Sequence, residues 1–326
     1  MAAGRKAEAG LITGILICLC ILLSGCTQPT LLSQREIVHG IFFQGVGAES
    51  TVVLLLADTS REQEGGAVGY KTASGTGATP AQALERAESS LDGQVFYGLM
   101  DLVVLPSESD WQTISRLGRL LYEKAHPAPQ FTIFLMNRLP ADQLVETAAE
   151  VYEQMEDAVA KYGIRNGLQL MLSAENECAL PLWQGTDYGF VFLQKDRPNT
   201  VLENALCAQL AAILCGQADR FQCDFSQGNG AVQAQTMVQH RVSEQGRCTL
   251  YLTLDTPDLQ ELGAAGRDEE QLRQALCKEL EQDFQYITTQ CCAPGFDPLR
   301  MGVWYWAACG SGEPLPVPCL EIAFEA

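Results

Sequence analysis

An apolar run from Leu11 to Leu23 (LITGILICLCILL) follows Arg5 and Lys6 and leads directly into Leu23-Ser24-Gly25-Cys26. As a helix, at about 1.5 Å per residue, this run covers roughly 20 Å, short of the roughly 30 Å hydrocarbon slab of a bilayer. A basic start, a short apolar core and a small-residue site ending in cysteine mark an export signal of the lipobox type. In such a signal the cysteine sulfur receives a diacylglyceryl group before cleavage. An ordinary secretory peptide and an uncleaved short anchor are the weaker readings of the same residues. The chain has no second apolar run of spanning length. The expected architecture is therefore a body tethered at Cys26 to the extracytoplasmic face of a membrane, with residues 1–25 removed.

Charge narrows the class further. The chain carries 40 acidic and 21 basic side chains, a net of -19. Loss of residues 1–25 removes Arg5, Lys6 and Glu8 and leaves a net of -20. Nucleic-acid binding draws its affinity from clustered Lys and Arg that displace counterions, so a nucleic-acid partner is excluded. The same sign disfavours adsorption on anionic lipid. Attachment must then come from acyl chains, at about 0.8 kcal/mol per buried CH₂.

Along the body, REIVHGIFFQGVG and STVVLLLAD predict two strands joined through Gly45, Gly47 and Glu49, and Arg61 to Gly66 predicts a second turn. AVGYKTASGTG is a third extended segment. It feeds a helix near Pro80 to Leu91, with Thr79 as N-cap, Pro80 at the first helical position and Gln82 completing a capping box. FYGLMDLVVLP predicts a buried strand, Trp111 to Leu121 a helix, FTIFLM a strand, and Ala141 to Tyr162 an amphipathic helix. The second half predicts a strand at DYGFVFLQKD, a helix from about Thr200 to Cys215, then three adjacent strands at FQCDF, VQAQTMVQHRV and RCTLYLTLD. A long helix and a closing edge strand, LPVPCLEIAF, complete it, the prolines disfavouring an interior position. The fold class is α+β (mixed α/β), multi-domain, with helices packed on sheets and a largely antiparallel sheet in the C-terminal domain. Expected divisions are a signal at 1–25, an N-terminal α/β domain at 26–140, a short helical middle at 141–187 and an α+β domain at 188–326.

Catalytic signals are lacking. His39, His126 and His240 are the only histidines, and none sits in a catalytic signature. Gly75-Thr76-Gly77 resembles part of a dinucleotide fingerprint, but Pro80 occupies the place of the third glycine. The row Glu146, Glu150, Glu153 and Asp157 reads as a solvated helix face rather than a metal site. Trp304, Tyr305 and Trp306 are expected in the core. Cys207 and Cys277 occupy apolar helix positions as structural thiols, a disulfide among Cys291, Cys292, Cys309 and Cys319 is open, and no spacing suggests zinc. No catalytic residue, cofactor or metal ligand is expected.

The order of segments resembles the C-subunit lipoproteins of GerA-type spore germinant receptors, the Ger(x)C family of endospore-forming bacteria. The matching features begin with Cys26 and Arg35-Glu36-Ile37 through Gly45-Val46-Gly47. Ser74-Gly75-Thr76-Gly77, the Thr79-led helix and Phe96-Tyr97-Gly98-Leu99 through Leu105 continue the pattern. Pro181, then Gly189 to Phe192 with Lys195-Asp196, and finally Asp297-Pro298 with Gly302, complete it. Leu99 stands where the family usually has histidine, and Glu123 to Pro127 replaces an Arg-Asp pair. The resemblance implies a non-enzymatic lipoprotein, anchored at Cys26 on the inner spore membrane, that acts with integral-membrane receptor subunits in spore germination. It also implies a fold of three mixed α/β domains. A generic surface lipoprotein that binds a small ligand or peptide is the alternative.

Overall fold

In a computed structural model of the chain the described residues are 35–45, 49–58, 69–125, 131–167, 177–185, 187–194, 199–224, 231–256, 268–291, 296–310 and 315–325. They form two sheets. The larger has nine strands: β1 (Arg35–Gln44), β2 (Ser50–Asp58), β3 (Gly69–Gly77), β4 (Gln94–Phe96), β5 (Leu102–Pro106), β6 (Thr132–Met136), β7 (Glu177–Trp183), β8 (Tyr188–Gln194) and β9 (Thr200–Leu202). Their order is β3-β2-β1-β5-β6-β7-β8-β9, with β4 also on β1. The central strands β1, β5, β6 and β7 run parallel, while β2, β3, β8 and β9 add antiparallel flanks. LVVLP and TIFLM are buried at every position, as parallel strands covered on both faces must be.

One face is covered by α1 (Pro80–Ser89) and α2 (Trp111–Ala125). Ala83, Leu84 and Ala87 of α1 and Ile114, Leu117 and Leu121 of α2 pack with Val38, Ile41 and Val103. Thr79 caps α1 by accepting the Gln82 N–H at 3.2 Å, and Gln82 Oε1 reaches back to the Ala78 N–H, one residue before the cap. The other face is covered by α3 (Ala141–Tyr162), whose Leu144, Ala148, Tyr152 and Met155 meet Phe42, Leu55 and Val104. Glu146, Glu150, Glu153 and Asp157 of α3 are exposed, the solvated face that the sequence predicts.

The second sheet is β10 (Arg220–Asp224), β11 (Ala231–Val242), β12 (Cys248–Asp255) and β13 (Cys319–Glu325), in that order. The first three are antiparallel; β13 runs parallel to β12, from Thr249↔Cys319 to Asp255↔Glu325. Between those two strands come α5 (Glu269–Cys291) and α6 (Met301–Cys309). The mixed α+β class with helices on sheets is thus present. The remaining helix, α4 (Ala205–Leu214), is apolar around its whole circumference and almost wholly buried, packed against α5, β8 and β10. It ties Leu250, Leu252 and Leu276 of the small sheet's core to Phe190 and Phe192 of the large one. Residues from Glu36 onward pack as one unit, and the large sheet continues past residues 140 and 187, Trp183 pairing with Tyr188.

Several boundaries differ from expectation. The helix placed from Thr200 starts at Ala205, because Thr200–Leu202 pairs with β8 and Asn204 is the N-cap. FYGLMDLVVLP divides into the end of β4, a turn in which the Met100 N–H donates to the Tyr97 carbonyl, and β5. LPVPCLEIAF begins its strand only after Pro318, since neither proline can donate to a ladder.

Candidate functional site

Sequence distance hides a polar cluster. His39 sits in β1, Tyr70 at the start of β3, Asp101 just before β5, and Tyr152 and Glu156 one turn apart on α3. The Asp101 N–H donates to the His39 carbonyl at 3.1 Å, which sets the two residues side by side. The Tyr152 hydroxyl donates to both Asp101 oxygens, at 3.0 and 2.9 Å. His39 Nδ1 lies 3.7 Å from Asp101 Oδ2, too far for a hydrogen bond. The rings of Tyr70 and Tyr152 meet edge to face at 5.1 Å, with His39 edge-on to both.

Electrostatics define what this cluster can do. Burial, then the charge of Asp101, pushes the Tyr152 hydroxyl far above its ordinary range. Burial and then Glu156 raise Tyr70 as well. Burial and then Asp101 raise the Glu156 carboxyl. Both phenols therefore keep their protons, and neither is a ready nucleophile or base. A buried tyrosine that donates to a half-exposed carboxylate fixes α3 to the sheet, and that is the chemistry this geometry supports. No sequence signal links these residues, because they come from four segments that only the β3-β2-β1-β5 pairing and the packing of α3 bring together.

The other residues singled out from sequence separate clearly. Cys26, the candidate lipid-attachment residue, lies outside the described residues, as do Val46, Gly47, His126 and Lys195-Asp196. Gly75 and Gly77 face α1: a Cβ on Gly75 would collide with the Ala83 carbonyl and the Ala87 amide, and one on Gly77 would lie 2.8 Å from the Ala83 nitrogen. Helix backbone occupies the space that a phosphate would need, so Ser74-Gly75-Thr76-Gly77 is a packing motif. Asp297 serves likewise as a cap. Its carboxylate accepts the N–H groups of Met301 at 2.8 Å and Gly302 at 2.6 Å, after Arg300 takes a left-handed φ of 55°.

The aromatic triplet corrects the core expectation. Trp304 is 51% and Trp306 65% exposed, and only Met301 of α6 is buried. MGVWYWAAC is apolar on every side, and a short helix lying on β11 can cover only one of them. Tyr305 packs beside Gly246, and Trp304 stacks on His240 at 5.7 Å and 9°, while His240 Nε2 meets the Leu299 carbonyl at 3.0 Å.

Cys207 and Cys248 are buried free thiols, Cys215 is buried, Cys277 is half-buried, and Cys309 and Cys319 are exposed and free. The side chains of Cys178, Cys223, Cys291 and Cys292 lie outside the described residues. Among the described residues, no group of three His, Cys, Asp or Glu side chains is arranged to hold a metal ion, and no helix is long and apolar enough to cross a membrane. No protein-family model, curated protein or solved structure matches the chain significantly.

Proposed function

We propose that the chain is the lipid-anchored, non-catalytic subunit of a spore nutrient germinant receptor, held at Cys26 on the extracytoplasmic face of the inner spore membrane and acting with integral-membrane partner subunits. The observation that carries this reading is the order of Ger(x)C-like segments behind the lipobox, from Arg35-Glu36-Ile37 to Asp297-Pro298 with Gly302. Two of those segments have identifiable architectural work, the glycines against α1 and the cap on α6, as motifs of a scaffold rather than of an active site would.

Between Cys26 and Arg35 the chain is short: at about 3.5 Å per residue it spans at most roughly 30 Å, so a lipid on Cys26 would keep β1 close to the bilayer. The test is deletion of the gene in a strain without a sister receptor, followed by nutrient-triggered germination of its spores. Loss of the response, restored by the full chain, is expected. Unchanged germination under every nutrient mixture would overturn the reading. A surface lipoprotein that binds a small ligand is the second reading, favoured by the cleft beside α4.

A further inference from the structure

The first turn of α4, the end of α3 and the middle of α5 line a cleft of ≈ 510 Å³, which adjoins one of ≈ 360 Å³ through the shared Asn204 and Asp283. Two kinds of polar group face it. The first is acidic. Glu279 and Asp283 stand one turn apart on α5, and neither has an ion-pair partner among the described residues. The nearby Lys161 is engaged over the Tyr162 ring at 4.8 Å, and Asp187 accepts the Tyr162 hydroxyl at 3.2 Å. Burial, and then Glu279, push the Asp283 carboxyl up, the response of a carboxylate that lacks a counter-charge.

The second kind is a set of donors. Gln209 is only 5% exposed; its Oε1 accepts the Gln222 N–H at 2.8 Å, and its Nε2, without a partner among the described residues, opens on the cleft that Gln209 lines. At the start of α4 the Asn204 side chain satisfies the Cys207 N–H at 3.0 Å, but the N–H groups of Ala205 and Leu206, both at the cleft, have no acceptor there. These donors face the cleft, where a bound acceptor oxygen can take the place of water.

These groups define a ligand. The carboxylate pair calls for a cation, and the donors call for acceptor oxygens. Glu279 and Asp283 would repel an anionic oxygen placed beside them, whereas neutral hydroxyls meet no such opposition. A simple diamine satisfies the acids and leaves the donors empty.

We propose that this cleft binds a small hydroxylated primary amine, of the amino-sugar or amino-alcohol class, with its ammonium on Glu279 and Asp283 and its hydroxyl oxygens on Gln209 Nε2 and the first N–H groups of α4. The site goes beyond the receptor reading and does not depend on it, because amine binding in solution and the nutrient response of spores are separate readouts. Its test is calorimetric titration of the full chain in detergent micelles, near neutral pH and at fixed ionic strength, with glucosamine, glucose, N-acetylglucosamine and putrescine. Glucosamine should bind at least tenfold more tightly than each of the other three. Asp283→Asn and Glu279→Gln should each weaken glucosamine at least tenfold, and Gln209→Ala severalfold, with circular dichroism unchanged. If a variant fails to fold, the probe series on the unaltered chain decides by itself. Equal binding of glucose or N-acetylglucosamine would remove the ammonium site. Equal binding of putrescine would reduce the cleft to an acidic surface, and no heat with any probe would overturn the proposal.

Discussion

Gly75 lies so close beneath Ala83 that α1 and β3 meet backbone to backbone: a side chain at Gly75 would overlap the Ala83 carbonyl. This contact fixes the distance between helix and sheet over the whole α1 interface. Gly75→Ala should therefore cost about 3 kcal/mol, the upper range for overpacking a well-packed interior. Thr76, the next residue, is exposed, and Thr76→Ala should stay within about 0.5 kcal/mol. Urea unfolding of the two variants separates the cases; equal midpoints would refute the close-packing argument.

Asp297 supplies both capping bonds to α6, and its carboxyl is raised above the ordinary 3.8 because burial outweighs those two bonds. A carboxyl raised in the folded state binds its proton more tightly there than when unfolded. Its contribution is present in full below the unfolded value and declines as pH rises through the folded one. Asp297→Ala should cost about 1–2 kcal/mol and loosen the Trp304–His240 stack, seen as a change in tryptophan fluorescence. Asp297→Asn loses one bond but carries no buried charge, so its deficit against the unaltered protein should narrow between pH 4 and pH 7. A deficit that widened over that window would show the sign to be wrong.

Tyr152→Phe removes the hydroxyl that donates to Asp101 while leaving the ring in place. Because Asp101 is half-exposed, solvent can replace part of that bond, and a loss of about 1 kcal/mol is expected. With Asp101→Asn as the second mutation, a double-mutant cycle should return a coupling of similar size. A coupling near zero would mean that the hydroxyl holds nothing.

The exposed Cys309 and Cys319 should react with a maleimide on the native protein, whereas Cys207 should not. Burial, and then Asp283, push the Cys207 thiol up to about 12, so it is both inaccessible and protonated. Peptide mapping after brief labelling checks this. Modification of Cys207 at the rate of Cys309 would contradict its placement in α4.

Cys26→Ala should abolish incorporation of labelled palmitate into the chain expressed in a bacterium that processes lipoproteins. Undiminished labelling would dispose of the lipobox.

Periodicity and caps made much of the fold legible. The Thr79-Pro80-Gln82 signature located α1, the stripe from Leu144 to Tyr162 located α3, and the alternation in Thr249 to Leu254 located β12. The 200–215 segment misled for a physical reason. Thr200–Leu202 is short enough to be a strand or a first helical turn, and only its pairing with β8 decides. Trp304 and Trp306 misled for another, since apolar residues on all sides of a short helix give no moment to show which side is covered. Neither polar cluster was legible. The cleft joins Gln209, Gln222 and Asp283 from three elements, and the cluster at Asp101 joins residues from four, so both depend on packing that no local pattern records.

The parallel pairing of β13 with β12 also sets an order of events. β12 ends at Asp255, its neighbour begins only at Cys319, and α5 and α6 lie between. While the chain folds, β11 and β12 can zip together early, but the outer edge of β12 must wait, unpaired, for distant residues to arrive. Such long-range closure is slow, and an open edge invites intermolecular pairing in the meantime. The vulnerable stage in folding is thus the interval before Cys319–Glu325 arrives, when a holding chaperone would matter more than any feature of the finished sheet.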